Sequence, residues 1–203
     1  MPGKFITFEG IDGAGKSTHL ATAADVLRER AIPCRLTREP GGTPCGEKIR
    51  QLLLDPHSQL HPDTETLLMF AARQQHFAEV VMPSLQAGTW VICDRFTDAT
   101  YAYQGAGKGV AMGKIAALEN WVHPGFSPDL TLCFDLPAAA AASRIDTTRV
   151  RDRFELETAG FHERVRTEYL RRAAEFPDRF RVIDAGMSLV QVTQVVRDLI
   201  ARL

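Results

Sequence analysis

The stretch Gly10-Ile11-Asp12-Gly13-Ala14-Gly15-Lys16-Ser17 decides the reading of this chain, because it fits the phosphate-binding loop pattern G-x-x-x-x-G-K-[ST] at every fixed position. Its flanks give the pattern physical meaning. Residues 4–8 form an apolar run of strand type, and residues 18–31 carry Leu20, Ala23, Ala24, Leu27 and Ala31 at helical spacing. A strand that feeds a glycine-rich turn into a helix N-terminus aims several backbone N–H groups at one point, where an anion is stabilised. The glycines allow the backbone to come close, Lys16 reaches terminal phosphates, and the Ser17 hydroxyl can ligate Mg²⁺. Gly10, Ile11, Asp12, Gly13, Ala14, Gly15, Lys16, Ser17 and Thr18 are therefore the expected nucleoside triphosphate site.

Outward from this loop, short apolar runs alternate with helical patterns. Residues 4–8, 34–37, 90–93, 130–135 and 181–183 read as five strands, and their continuous apolar character points to a parallel sheet covered on both faces. Residues 18–31, 44–54, 64–86, 112–122, 138–143, 154–175 and 189–202 read as helices. The expectation is a doubly wound α/β domain spanning 1–203, with its site at the carboxyl ends of the strands.

Composition narrows the function classes. The chain has 203 residues, 45% hydrophobic and 24% charged, with a net charge of −1, so no overall field draws nucleic acid or a membrane surface. No basic start precedes an apolar h-region, and no apolar run approaches ~18 residues, which implies a cytoplasmic protein. Four scattered cysteines (Cys34, Cys45, Cys93 and Cys133) make no CxxC pair and read as buried free thiols.

Two further strand ends carry chemistry. Thr37-Arg38-Glu39-Pro40-Gly41-Gly42-Thr43 places Arg38 at the same sheet edge as the loop, and Pro-Gly-Gly permits a sharp turn with a non-standard X-Pro peptide. An arginine fixed there can fork onto a phosphate. Val91-Ile92-Cys93-Asp94-Arg95 ends in a carboxylate of the kind that accompanies Mg²⁺ beside a phosphate-binding loop, followed at once by a cation. The run continues Phe96-Thr97-Asp98-Ala99-Thr100-Tyr101-Ala102-Tyr103-Gln104-Gly105, rich in donors, acceptors and aromatic faces.

Taken together, the loop, the 37–43 heptapeptide and the Asp94-Arg95…Ala102-Tyr103-Gln104-Gly105 run resemble the bacterial thymidylate kinases over nearly the whole chain. The resemblance implies a P-loop NTPase fold with a short Arg-rich lid at about 144–153, and transfer of the γ-phosphoryl group of Mg·ATP to dTMP. It implies a homodimer with no nucleic-acid or membrane partner. Lys16 and the loop amides would hold ATP, with Ser17 on Mg²⁺. Arg38 and Arg95 would hold the acceptor phosphate, and Asp12 and Asp94 would orient Mg²⁺ waters or the acceptor end. The acceptor oxygen is already anionic, so the expected catalyst works by positioning and charge neutralisation.

Members of that family with Gly at the position of Gly13 place a catalytic arginine in the lid. Here the lid candidates are Arg149 and Arg151, then Arg153. Base selection falls to Arg73, which favours the O4 acceptor of thymine or uracil over the amine of cytosine. Phe70 is the favoured stacking ring, Met69 the alternative, and Thr100 and Gln104 are available to the pyrimidine. Ala99 stands where many relatives carry Ser. Tyr103 would lie near the sugar and disfavour a 2′-OH. The rival readings are a UMP/CMP-type or deoxynucleoside kinase and a non-catalytic P-loop switch. Two acceptor-side arginines and the lack of an N-K-x-D motif weigh against the last two of these.

Overall fold

The computed structural model describes residues 2–145 and 151–203. Five parallel strands form one sheet in the order β2-β3-β1-β4-β5: β1 Phe5–Glu9, β2 Cys34–Arg38, β3 Trp90–Asp94, β4 Leu130–Asp135 and β5 Phe180–Asp184. Nine α-helical segments lie among the described residues: α1 Lys16–Glu29, α2 Pro44–Leu54, α3 Pro62–His76, α4 Met82–Gln86, α5 Thr97–Thr100, α6 Met112–Val122, α7 Ala138–Arg144, α8 Ala159–Glu175 and α9 Leu189–Ala201. Each strand ends within a residue or two of the range its apolar run predicts. The P-loop NTPase fold and its five-stranded sheet are as the sequence implies.

Central and edge strands differ in burial. β1 is buried throughout, as are nearly all residues of β3 and β4, whereas β2 and β5 alternate or expose their outer residues. Cover on both faces, expected for all five, thus holds for the central strands; a strand with one neighbour keeps a solvent-facing side. Beneath the loop, Phe8 stacks on Phe134 at 5.6 Å between centroids, and His19 of α1 stacks on the same ring at 5.5 Å. These rings lock β1, β4 and α1 together where the loop leaves the sheet. Truncating Phe8 or Phe134 to alanine would cost about 3–5 kcal/mol.

Three helix readings are corrected. The helix expected over 64–86 starts at Pro62 and widens into a π turn, Phe77–Val81, before continuing as α4. Pro83 cannot donate a backbone hydrogen bond and its ring presses on the carbonyl four residues earlier, so the ladder loosens just before it. The helix expected from 154 starts at Ala159, because Thr158 caps it by accepting from the Phe161 amide. Residues 97–107, given no element from the sequence, are helical: α5 runs into a π-helical stretch, Tyr101–Gly107. Of the four free cysteines only Cys93 and Cys133 are buried; Cys34 is half-buried and Cys45 exposed. Among the described residues no helix is long and apolar enough to cross a membrane.

Candidate active site

The register brings three strand ends to one line: Asp94 lies opposite Phe8 on one side and Arg38 on the other. β1 thus releases the loop between the ends of β3 and β4, where chain connections diverge to opposite sides of the sheet and a crevice opens. Gly10 takes φ +130, and a Cβ there would strike the Phe134 carbonyl. Gly13 takes φ +83, and a Cβ would strike the carbonyl of Ala141 at the middle of α7. Any side chain at 13 would therefore displace the helix that leads into the expected lid.

Two clefts meet at Asp12. The first is lined by loop residues Asp12, Gly13, Gly15, Lys16, Ser17 and Thr18, together with Asp94 and the α7 end residues Arg144 and Ile145. Lys16 Nζ donates to the carbonyls of Gly10 and Ile11 at 3.0 Å each, and burial, then the Arg95 charge, lower its pKa. Asp94 Oδ1 is buried without a hydrogen-bond partner. The second cleft is walled by Arg50, Met69, Arg73, Arg95, Thr100, Tyr103 and Gln104, among others. Asp152, near the end of the expected lid, and Phe154, just after it, complete its lining.

Arg95 stands at the junction. Its Nη2 donates to Asp12 Oδ1 at 2.7 Å and to Tyr103 Oη at 2.9 Å; its Nη1 donates to the Gly10 carbonyl at 2.8 Å and to Tyr169 Oη at 3.1 Å. The backbone at Arg95 is left-handed, φ +69, a strained state for a non-glycine residue of about 1–3 kcal/mol that surrounding contacts must over-determine. Those contacts include buried Glu9, whose Oε1 accepts from the Phe96 amide at 2.7 Å and whose Oε2 accepts from Tyr169 Oη at 2.8 Å. Burial would raise the Asp12 carboxyl, but the charges of Arg95 and Lys16 more than offset it and hold Asp12 well below the usual carboxylate range.

At the far end of the second cleft Arg73 is 2% exposed. Its Nε donates to Glu39 Oε2 at 2.7 Å, and Nη2 donates to the Phe96 carbonyl at 3.1 Å and Thr100 Oγ1 at 3.0 Å. Its Nη1 is buried without a partner. Glu39 also bonds His76 Nδ1 at 2.8 Å, and His76 Nε2 bonds Thr37 Oγ1 at 2.7 Å. Burial would raise Glu39, yet Arg73 and His76 pull its pKa below the ordinary value.

The remaining candidates are distributed as follows. Met69 lines the second cleft, whereas Phe70 lies in a separate buried cluster with Tyr101, Val110 and Ile115, its ring 4.6 Å from the Arg73 guanidinium. Arg38 is exposed and pairs with Glu47 at 2.9 Å, outside both clefts as lined. Arg153 pairs with Glu65 and donates from Nε to the Leu53 carbonyl at 3.1 Å, which ties it to α2 and α3. Arg151 is half-buried, and Arg149 lies outside the described residues. The sequence reading missed Glu9, Glu39, Glu65, His76, Tyr169 and Arg50. Glu9, an acid joining an apolar strand to the loop, and Glu39, inside the 37–43 heptapeptide, had a local signal; the other four had none in their own stretch of sequence.

A parallel sheet with this loop after its central strand defines a P-loop NTPase-fold protein. The comparisons narrow the class. The sequence model of the thymidylate kinase family matches residues 8–196. The chain is 59% identical over 203 residues to the thymidylate kinase of Cupriavidus metallidurans, covering 100% of both, and 54% identical over 200 residues to that of Nitrosomonas eutropha, covering 98% of this chain and 93% of the relative. A crystal structure of thymidylate kinase from Ehrlichia chaffeensis superposes with a TM-score of 0.79 at 35% identity over 99% of each chain. The chain belongs to the thymidylate kinase family.

Proposed function

We propose that this chain phosphorylates dTMP to dTDP with the γ-phosphoryl group of ATP, a step toward dTTP, as a cytoplasmic enzyme of one domain. The observation that carries the mechanism is the meeting of two clefts at Asp12, which Arg95 bonds from the second of them, with an unpartnered Arg73 N–H at the end of that second cleft. ATP fits the first cleft, with its phosphates on the loop amides and Lys16, whose ammonium would exchange neutral carbonyl acceptors for charged ones. dTMP fits the second, its phosphate toward Arg95 and its base toward Arg73.

Both reacting groups are anions, so lining them up and neutralising them is most of the work. Arg95 lies between the clefts and would offset the repulsion as the acceptor oxygen approaches the γ-phosphorus. Asp12, held ionised, fixes the Arg95 fork. Arg38 would reach the acceptor phosphate by leaving Glu47. Arg149 or Arg151 would supply the lid cation, since Arg153 is engaged with Glu65 and Gly13 carries none. Met69, not Phe70, faces the acceptor cleft and would pack on the base; Phe70 instead supports the Arg73 guanidinium. Thr100, Gln104 and Tyr103 line the same cleft; the first two would face the base, and Tyr103 would crowd a 2′-OH.

The donor set suits Mg²⁺: Ser17 and Asp94 line one cleft, with the Asp94 Oδ1 orphaned and Asp12 close by. Ser17 and Asp94 would hold it, directly or through its waters, and when bound it would supply positive charge that neutralises the ATP phosphates. A homodimer is the expected assembly, with exposed Leu67 on α3 as a contact point.

A coupled ADP-release assay with dTMP, dUMP, UMP, CMP and thymidine tests the reading. The expected result is the highest kcat/KM on dTMP. Highest activity on UMP or CMP, or on unphosphorylated thymidine, would replace it, and ATP binding without turnover would favour the switch reading.

A further inference from the structure

Glu65 lies in the first turn of α3 and is fully buried, yet it faces donors on both oxygens. Its Oε1 accepts from Gln104 Nε2 at 2.7 Å, while its Oε2 meets Lys108 Nζ at 3.1 Å and the Arg153 guanidinium. A carboxylate beside two cations can only accept hydrogen bonds, whereas an amide has a donor end and an acceptor end of nearly equal size. Turning the Gln104 amide over would set its carbonyl against a carboxylate, two acceptors in contact inside the core. The orientation of Gln104 is thus set by charge and not by shape. With its nitrogen committed to Glu65, the end of Gln104 left for the cleft that it lines is its carbonyl oxygen.

Arg73 supplies the complementary half. Its Nε and Nη2 are bonded to Glu39, Phe96 and Thr100, and the remaining Nη1 is a buried donor without a partner. We propose that Glu65 is a specificity-positioning residue: it forces Gln104 to present an acceptor beside the Arg73 donor, so that the cleft selects a pyrimidine with a carbonyl at C4 and an N3–H. Cytosine offers the reverse, an amine at C4 and a bare N3, and meets donor with donor and acceptor with acceptor. This inference rests on the base-pocket reading under Proposed function.

The test is steady-state phosphorylation of dTMP and dCMP by the full chain and by Glu65→Gln and Gln104→Met. An amide at 65 keeps its oxygen on Lys108 and Arg153 and turns its NH2 to Gln104, which then has to offer its carbonyl inward and its donor to the cleft. The dTMP:dCMP ratio of kcat/KM should fall about 10- to 100-fold, chiefly through a higher KM for dTMP, with KM for ATP unchanged. Gln104→Met keeps the volume, leaves Glu65 with its two cations, and should lower the same ratio; it carries the test if Glu65→Gln fails to fold. A Glu65→Gln ratio within twofold of wild type overturns the role of Glu65, as does a parallel loss of kcat on both nucleotides. An unchanged ratio in Gln104→Met overturns the acceptor role of Gln104 and with it the proposal. If the wild type itself does not prefer dTMP to dCMP, the base-pocket reading falls first and this inference falls with it.

Discussion

The proposed donor cleft draws most of its lining from one continuous stretch, residues 12–18, and would recognise through backbone. The proposed acceptor cleft draws on the residues that follow β2 and β3, on α2 and α3 and on the helical 97–107 segment, and what it presents is buried charged side chains. The donor side needs close approach, so its glycines sit at positive φ and a Cβ at two of them would strike carbonyls of β4 and α7. The acceptor side needs fixed side-chain direction, so each arginine is clamped from behind: Arg95 by Asp12, Tyr103 and Tyr169, Arg73 by Glu39, Phe96 and Thr100. A phosphate chain can be held by any backbone that points N–H groups inward. A nucleobase has to be read by groups of fixed polarity, and fixing polarity in a core requires counter-charges and hydrogen-bond partners.

The contrast breaks most severely at the junction. Arg95→Ala should lower kcat/KM for dTMP by about 10³- to 10⁴-fold while leaving ATP affinity within a few-fold, because on the proposed reading its guanidinium serves the acceptor phosphate and the transition state. Turnover assays beside a fluorescent ATP-analogue titration check this; near-wild-type turnover would remove Arg95 from the reaction.

A second prediction sharpens the contrast through stability. Glu39→Ala leaves Arg73 buried without its counter-charge and should destabilise the fold by about 3–5 kcal/mol in urea. Ser17→Ala, at an exposed position in the first turn of α1, should change stability by no more than about 0.5 kcal/mol. Equal losses would mean that the two clefts are not coupled to the core differently.

The smallest effect concerns Glu9. Burial, reinforced by the nearby Asp98 carboxylate, pushes its pKa up to about 8 from an ordinary 4.5. Between those values the folded chain keeps a proton that the unfolded chain releases. The stability from this group is therefore fully present below about pH 4.5 and declines as pH rises toward 8, by no more than ~1.4 kcal/mol per unit. Asp12 and Glu39, held below their ordinary values, act oppositely and only at more acid pH. Urea midpoints at pH 5.5 and 7.5 should converge in Glu9→Gln relative to wild type. An unchanged difference would place the proton elsewhere.

How much of this was legible follows the same division. Residues 10–17 could be read because backbone chemistry is written in consecutive residues, and Asp94 and Arg95 because they close an apolar strand that the topology brings beside the loop. Arg73 was legible as a cation on a helix near the site. Its clamp was not: Glu39 lies 34 residues away, and Tyr169 reaches Glu9 across 160. Choosing between Met69 and Phe70 also required packing, since both lie on Arg73's side of α3 and only rotation of the helix against Tyr101 and Ile115 sends Phe70 into the core.

By itself, then, the sequence determined a parallel α/β sheet, the phosphate loop, the strand-end Asp94 and Arg95 and the absence of a cation at Gly13, all of which depend on neighbours in the chain. Tertiary structure decided which way each recognising side chain points. Glu39 orients Arg73, Glu65 orients Gln104, and Tyr169 with Glu9 braces Arg95. The reason is physical: the direction of a buried polar group is set by whichever partner satisfies it, and those partners come from distant segments that only the folded sheet brings together.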